Sequence, residues 1–92
     1  MGELKTLAHF FKALGEENRL RILEALKEGE LSVGELVSRL ELSQPLVSHH
    51  LRELKLAGLV TSRKEGPYVF YRLKSSRVFE LFRLAQSLRE DT

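Results

Sequence analysis

Four side chains near the middle of the chain, Gln44, Ser48, His49 and Arg52, could hydrogen-bond to the edge of a nucleobase or to a phosphate. A glutamine amide carries a donor and an acceptor that can meet adenine in bidentate fashion. Serine is small enough to allow close approach, and histidine and arginine add donors. On a helix the i, i+4, i+5, i+8 spacing puts all four toward one side. The same residues offer little to catalysis. Ser48 and His49 are adjacent and cannot form a triad, no acid is placed to orient an imidazole, and the chain has neither a glycine-rich phosphate loop nor a paired-carboxylate pattern. No enzyme is expected. His49 and His50 point about 100° apart on a helix, unlike the i, i+4 pairs that hold metals, so no metal or cofactor is assigned to them.

The element that must position these groups is a helix running through LSQPLVSHHLRELKLAGLV, residues 42–60. Ser43 is a good N-cap, and Pro45 stands in the first turn, where a missing N–H costs nothing. Val47, Leu51 and Leu54 form the inward face, and Gly58 suits the left-handed residue that ends the helix. Upstream, the spacing of Leu4, Leu7, Ala8, Phe11 and Leu14 predicts a first helix over 3–14, stopped by Gly15. A second over 17–27 buries Leu20, Ile22, Leu23 and Leu26 and stops at Gly29. A third over 33–40 has Ser32 as cap and Glu35 at capping-box spacing. Only Glu41, Leu42 and Ser43 separate the third helix from the fourth. So short a connection makes them cross steeply, as a helix-turn-helix does.

After Gly58 the pattern alternates. Residues 59–64 and 68–73 predict two antiparallel strands around a Glu65-Gly66-Pro67 turn, with Val69, Tyr71 and Leu73 on one face and Tyr68, Phe70 and Arg72 on the other. This is a wing that would carry Arg63, Lys64 and Arg72 beside the DNA backbone. A last helix over 76–89 holds Val78, Phe79, Leu81, Phe82, Leu84, Ala85 and Leu88, more apolar surface than one core-facing stripe needs. The expectation is that it packs with the first helix across a two-fold dimer interface made by Leu4, Leu7, Phe11, Phe79, Phe82 and Leu88. The fold expected for residues 1–92 is thus a single, mainly α winged helix-turn-helix domain with a small antiparallel β-hairpin, acting as a homodimer.

The charge distribution supports a polyanionic partner. Residues 44–77 carry seven basic side chains against two acidic, whereas residues 1–43 carry six against eight, although the whole chain of 92 residues has a net charge of only +2. Arg52, Arg63, Lys64 and Arg72 would contact phosphates and set register, Gln44 would read bases, and Ser48 would allow close approach to a base or phosphate. Ser43 and Pro45 place the helix N-terminus where it can also hold a phosphate. The competing reading is a winged-helix module whose basic face meets an acidic protein. Cysteine is absent, which excludes disulfides and thiolate metal sites. No stretch is apolar enough to span a membrane and the N-terminus lacks a secretory pattern, so a cytoplasmic protein is expected.

Four runs, ALGEENRLRIL from Ala13, ELSVGEL from Glu30, LSQPLVSHHLRELKLAGLV from Leu42 and RKEGPYVFYRL from Arg63, resemble the ArsR/SmtB winged-helix repressors of bacteria and archaea. With the flanking helices they cover nearly the whole chain. The resemblance implies an α1-α2-α3-α4-β-β-α5 homodimer that represses transcription on an imperfect palindromic operator of double-stranded DNA and releases it when an inducer binds. It also implies that the His49 position faces base edges and that His50 belongs to a core signature beside Leu51, so that His50 is either structural or a phosphate contact. Two departures stand out: Glu17-Asn18 replaces a frequent Pro-Thr pair, and the wing tip is Gly66-Pro67 rather than glycine followed by a basic residue, which implies a weaker wing contact. The sensory residues of the family are missing. Ser32 and Gly34 stand where arsenic sensors have cysteines, residues 76–92 contain no histidine for a zinc-type site, and no cysteine pair exists for redox sensing. The remaining options are a small-molecule inducer, a partner protein, or DNA binding without an inducer. His9 reads as a surface or interface residue, the alternative being a metal site shared with Glu90 or Asp91 across the dimer.

Overall fold

A computed structural model describes residues 2–90, so Asp91 lies outside the described residues. The chain opens with helix α1, Gly2–Leu14, followed by α2, Glu17–Ala25, which tightens into a single 3-10 turn at Leu26–Glu28. The second helix is therefore shorter than its apolar spacing suggested, and Gly29 at φ 144° turns the chain out of it. Strand β1, Leu31–Ser32, leads directly into α3, Val33–Leu40. Here Ser32 Oγ accepts from Glu35 N at 3.1 Å and Glu35 Oε1 accepts from Ser32 N at 2.8 Å, the reciprocal capping box expected from the spacing.

Helix α4, Gln44–Leu56, begins at Ser43, whose Oγ accepts from Leu46 N at 3.3 Å. Strands β2, Val60–Glu65, and β3, Tyr68–Leu73, form the wing, and α5, Val78–Glu90, closes the chain. The sheet has three strands in the order β1-β3-β2, all antiparallel. The two-residue β1 adds to the expected hairpin by pairing Leu31 with Tyr71 and Ser32 with Phe70. At the wing tip Gly66 has φ 60°, and proline fixes the next φ near −65°, the sign order of a type II′ hairpin turn.

The core is filled by Ile22, Leu23, Leu36, Val47, Leu51 and Leu54, each with no exposed surface. Leu20 departs from expectation at 37 % exposed, because Ile22, Leu23 and Leu26 already fill the inward arc of that turn. Leu4, Leu7 and Phe11 on α1 and Leu84 and Leu88 on α5 stand outward in the isolated chain, whereas Phe79 and Phe82 lean partly onto their own core. Phe79 also lies under the Lys27 ammonium, 5.2 Å from its ring centre.

The turn between α3 and α4 contains a strained residue. Glu41 adopts φ 56°, ψ 44°, a left-handed conformation that a side chain makes costly, while its N–H closes on the Val37 carbonyl at 2.9 Å. Arg21 steadies the same helix end by donating to the Leu40 carbonyl at 3.1 Å. Glu41→Gly is expected to stabilise the fold by about 0.5–1 kcal/mol, seen as a thermal midpoint a few degrees higher. A lowered midpoint would show that the Glu41 side chain contributes more than its backbone costs.

Candidate nucleic-acid interface

Helix α4 has two distinct faces. Val47, His50, Leu51 and Leu54 are buried and span an arc of about 100° at 100° per residue. Gln44, His49 and Arg52 are exposed and Ser48 is half-buried at the edge of the stripe. The helix is thus fixed from behind and open in front. Its direction is set by the Ser43 cap, by Pro45 in the first turn and, at the far end, by Gly58 at φ 79°.

The stripe does not stand alone. Gln44 and Ser48 line one side of a groove of about 420 Å³ whose other walls are Ser32 and Val33 at the start of α3 and Pro67 and Tyr68 at the wing tip. Helix α4 and the wing therefore form one continuous surface. At the opposite end of α4, Lys55 Nζ donates to Ser62 Oγ at 2.8 Å and fastens the helix to β2. The register places Thr61, Arg63 and Glu65 on the same face as Arg72, Phe70 and Tyr68, and Ser62 and Lys64 on the face shared with Tyr71 and Val69.

The wing cations differ in availability. The side chains of Lys64 and Arg72 are exposed and make no hydrogen bond or ion pair with other described residues, although the Arg72 charge also acts on Glu30. Arg63, expected to clamp a phosphate, is already engaged. Its Nε and Nη2 donate to the two carboxylate oxygens of Glu30 at 2.9 and 2.8 Å, its Nη1 donates to Glu65 Oε1 at 2.7 Å, and its guanidinium stacks 4.6 Å from the Phe70 ring centre. The hydrogen bond from Arg63 holds the Glu30 carboxyl below its ordinary range, and the two carboxylates keep Arg63 protonated. Arg63 ties the wing to the segment before β1, and the ion pairs would have to open before it met DNA.

His50 also departs from its place among the DNA contacts. It is only 4 % exposed and faces the core beside Leu51, so its ring is closed off from any phosphate. A hint lay in the spacing: His50 follows Val47 by three residues and precedes Leu54 by four, on the apolar face. The residues that contact it, Arg19 and Glu16, carried no comparable signal. Among the described residues, no three His, Cys, Asp or Glu side chains converge to hold a metal, and His9 is exposed on α1.

An exposed polar helix stripe set beside a basic two-stranded wing, on a helix packed against the one before it across a three-residue turn, defines the class of winged helix-turn-helix DNA-binding proteins. The sequence comparisons give the family. Residues 16–62 match the description "Bacterial regulatory protein, arsR family", and the chain belongs to that family of DNA-binding transcriptional regulators. It is similar to the HTH-type transcriptional regulator MJ1325 of Methanocaldococcus jannaschii, 42 % identical over 89 residues covering 96 % of this chain and 100 % of the relative. It is also similar to the transcriptional activator HlyU of Vibrio cholerae, 52 % identical over 77 residues, 84 % of this chain and 71 % of the relative. Among solved structures, the homodimeric winged helix-turn-helix DNA-binding domain Mb0332 of Mycobacterium bovis matches with a TM-score of 0.83 and 33 % identity, covering 98 % of this chain and 83 % of that one. No helix among the described residues is long and apolar enough to cross a membrane.

Proposed function

We propose that two copies of this chain join through α1 and α5 and place their α4 helices in successive major grooves on one side of an imperfect palindromic operator, with half-sites about 34 Å apart or a multiple of it. The observation that carries this reading is the outward stripe of Gln44, Ser48, His49 and Arg52 on a helix whose other face is locked into the core. Gln44 reads base edges, Ser48 admits a close approach, and His49 reaches a base or phosphate. Arg52, Lys64 and Arg72 neutralise phosphates. The outward Leu4, Leu7, Phe11, Leu84 and Leu88 support the pairing, since so much exposed apolar surface is costly in water, and the homodimeric Mb0332 domain has the same fold.

The regulatory outcome proposed is repression in the cytoplasm, by occupying DNA that polymerase needs. The activator HlyU supports a second reading in which the same dimer raises transcription. Transcription from a template carrying the bound site separates them, falling on addition of protein in the first case and rising in the second.

Selection of bound duplexes from a randomised pool tests the DNA reading. Recovered sites should be two-fold related, and affinity should fall steeply as salt rises. Gln44→Ala should lower the preference for the recovered site over random duplex by about tenfold, while leaving binding to random duplex nearly unchanged. Failure to enrich any sequence, together with salt-sensitive capture of an acidic protein, would favour the protein-contact alternative.

A further inference from the structure

Behind the exposed stripe, three elements meet at one arginine. Arg19 of α2 donates from Nε to His50 Nδ1 on α4 at 3.1 Å and from Nη1 to the Ala13 carbonyl near the end of α1 at 3.4 Å. Its backbone N–H donates to Glu16 Oε1 at 3.1 Å, the carboxylate that caps α2. Arginine only donates, so His50 Nδ1 must accept and the proton of the neutral ring sits on Nε2. That Nε2 is buried without a hydrogen-bond partner, and Glu16 Oε1 lies beyond bonding reach at 3.7 Å. A leucine at this position would continue the Val47, Leu51 and Leu54 face without an unpaired polar atom, so packing alone does not account for the imidazole.

We propose that Arg19 and His50 are positioning residues for the DNA-reading helix, joining it to α1, and that protonation of His50 opens this joint and weakens DNA binding. The inference rests on the assignment of α4 as the helix that meets DNA. A proton taken up at Nδ1 turns the acceptor into a donor aimed at another donor, so the bond to Arg19 is lost and two cations face each other. The resulting imidazolium is drawn toward Glu16 Oε1, the atom that caps α2, so the cap and the joint are disturbed together. The charged groups acting on the ring are Glu16 before α2, Arg19 on α2 and His49 on α4 itself. Burial holds His50 below the ordinary imidazole range; Glu16 opposes this, and Arg19 and His49 reinforce it. The unfolded chain therefore takes up this proton more readily than the folded one. The stability tied to the neutral ring is present above the unfolded value of about 6.5 and is lost as pH falls through the lower folded value. Because α1 also presents Leu4, Leu7 and Phe11 outward, the joint connects the proposed dimer helix to the proposed DNA helix.

The probe is a fluorescently labelled duplex recovered from the randomised pool by the wild-type protein. His50→Gln keeps an amide oxygen for Arg19 and an N–H toward Glu16 but does not titrate. Arg19→Lys keeps the charge but replaces the planar fork, whose Nε and Nη1 reach the two acceptors from separate atoms, by a single nitrogen. At about pH 7.5, His50→Gln should bind within about threefold of wild type, and Arg19→Lys about tenfold more weakly with an unchanged far-UV spectrum. Titrated downward from about pH 7.5 to the lowest pH at which both proteins keep an unchanged far-UV spectrum, the affinity ratio of His50→Gln to wild type should rise about fivefold. A flat ratio, or Arg19→Lys binding like wild type, overturns the inference while leaving the DNA reading intact. Should Arg19→Lys fail to fold, the ratio alone decides. A wild-type protein that recovers no duplex from the pool removes the DNA reading and this inference with it.

Discussion

Leu51→Ala is expected to cost about 2–5 kcal/mol, a large share of the roughly 5–15 kcal/mol that holds a domain of this size together. Leu51 has no exposed surface and lies between Val47 and Leu54 on the inward face of α4, so truncation leaves a cavity where that helix is anchored. Urea unfolding at fixed protein concentration should show a lower midpoint with little change in slope. Truncating the exposed Leu56 of the same helix should cost less than 1 kcal/mol, because it has little burial to lose. Equal losses at the two positions would mean that the core does not sit behind α4.

Arg52→Glu is expected to have the largest effect on DNA binding, weakening every duplex by more than about tenfold at low salt and lowering the slope of log affinity against log salt by about one. The change reverses a charge at the C-terminal end of the exposed stripe, and the Arg52 side chain makes no hydrogen bond or ion pair with other described residues. Arg63→Ala should act more weakly, since the Arg63 guanidinium already serves Glu30 and Glu65. Loss of its bidentate pair with Glu30 and its stacking on Phe70 should loosen the wing, so affinities are compared where the far-UV spectrum is unchanged. Anisotropy titrations over a salt series compare the two. An Arg63 effect larger than that of Arg52 would relocate the principal phosphate contact to the wing.

The parts of the fold legible in the sequence are those specified by local chemistry. The capping box at Ser32 and Glu35, the cap at Ser43 with Pro45 beside it, and the Gly66-Pro67 turn each act within a few residues and lie where their spacing placed them. The misses come from interactions between distant residues. Strand β1 is only two residues long and exists because Leu31 and Ser32 meet β3 about forty positions later, so no alternation could announce it. The pairing of Arg63 escapes a local reading because Glu30 lies 33 residues upstream. Spacing alone points Leu20 inward, but Ile22, Leu23 and Leu26 already occupy that arc.

The Gly66-Pro67 tip has a consequence for how the protein would distinguish sites in a genome. It presents a pyrrolidine and the exposed Tyr68 ring in place of an extended cation. A narrow A·T-rich minor groove attracts positive charge through its deepened negative potential, and an uncharged tip gains little from that attraction. Under the proposed docking, discrimination concentrates in the few base pairs under each α4, and the flanking base pairs are free to drift between A·T and G·C at little cost. Operators of such a protein would be short, permissive at their margins and correspondingly easy for new promoters to acquire.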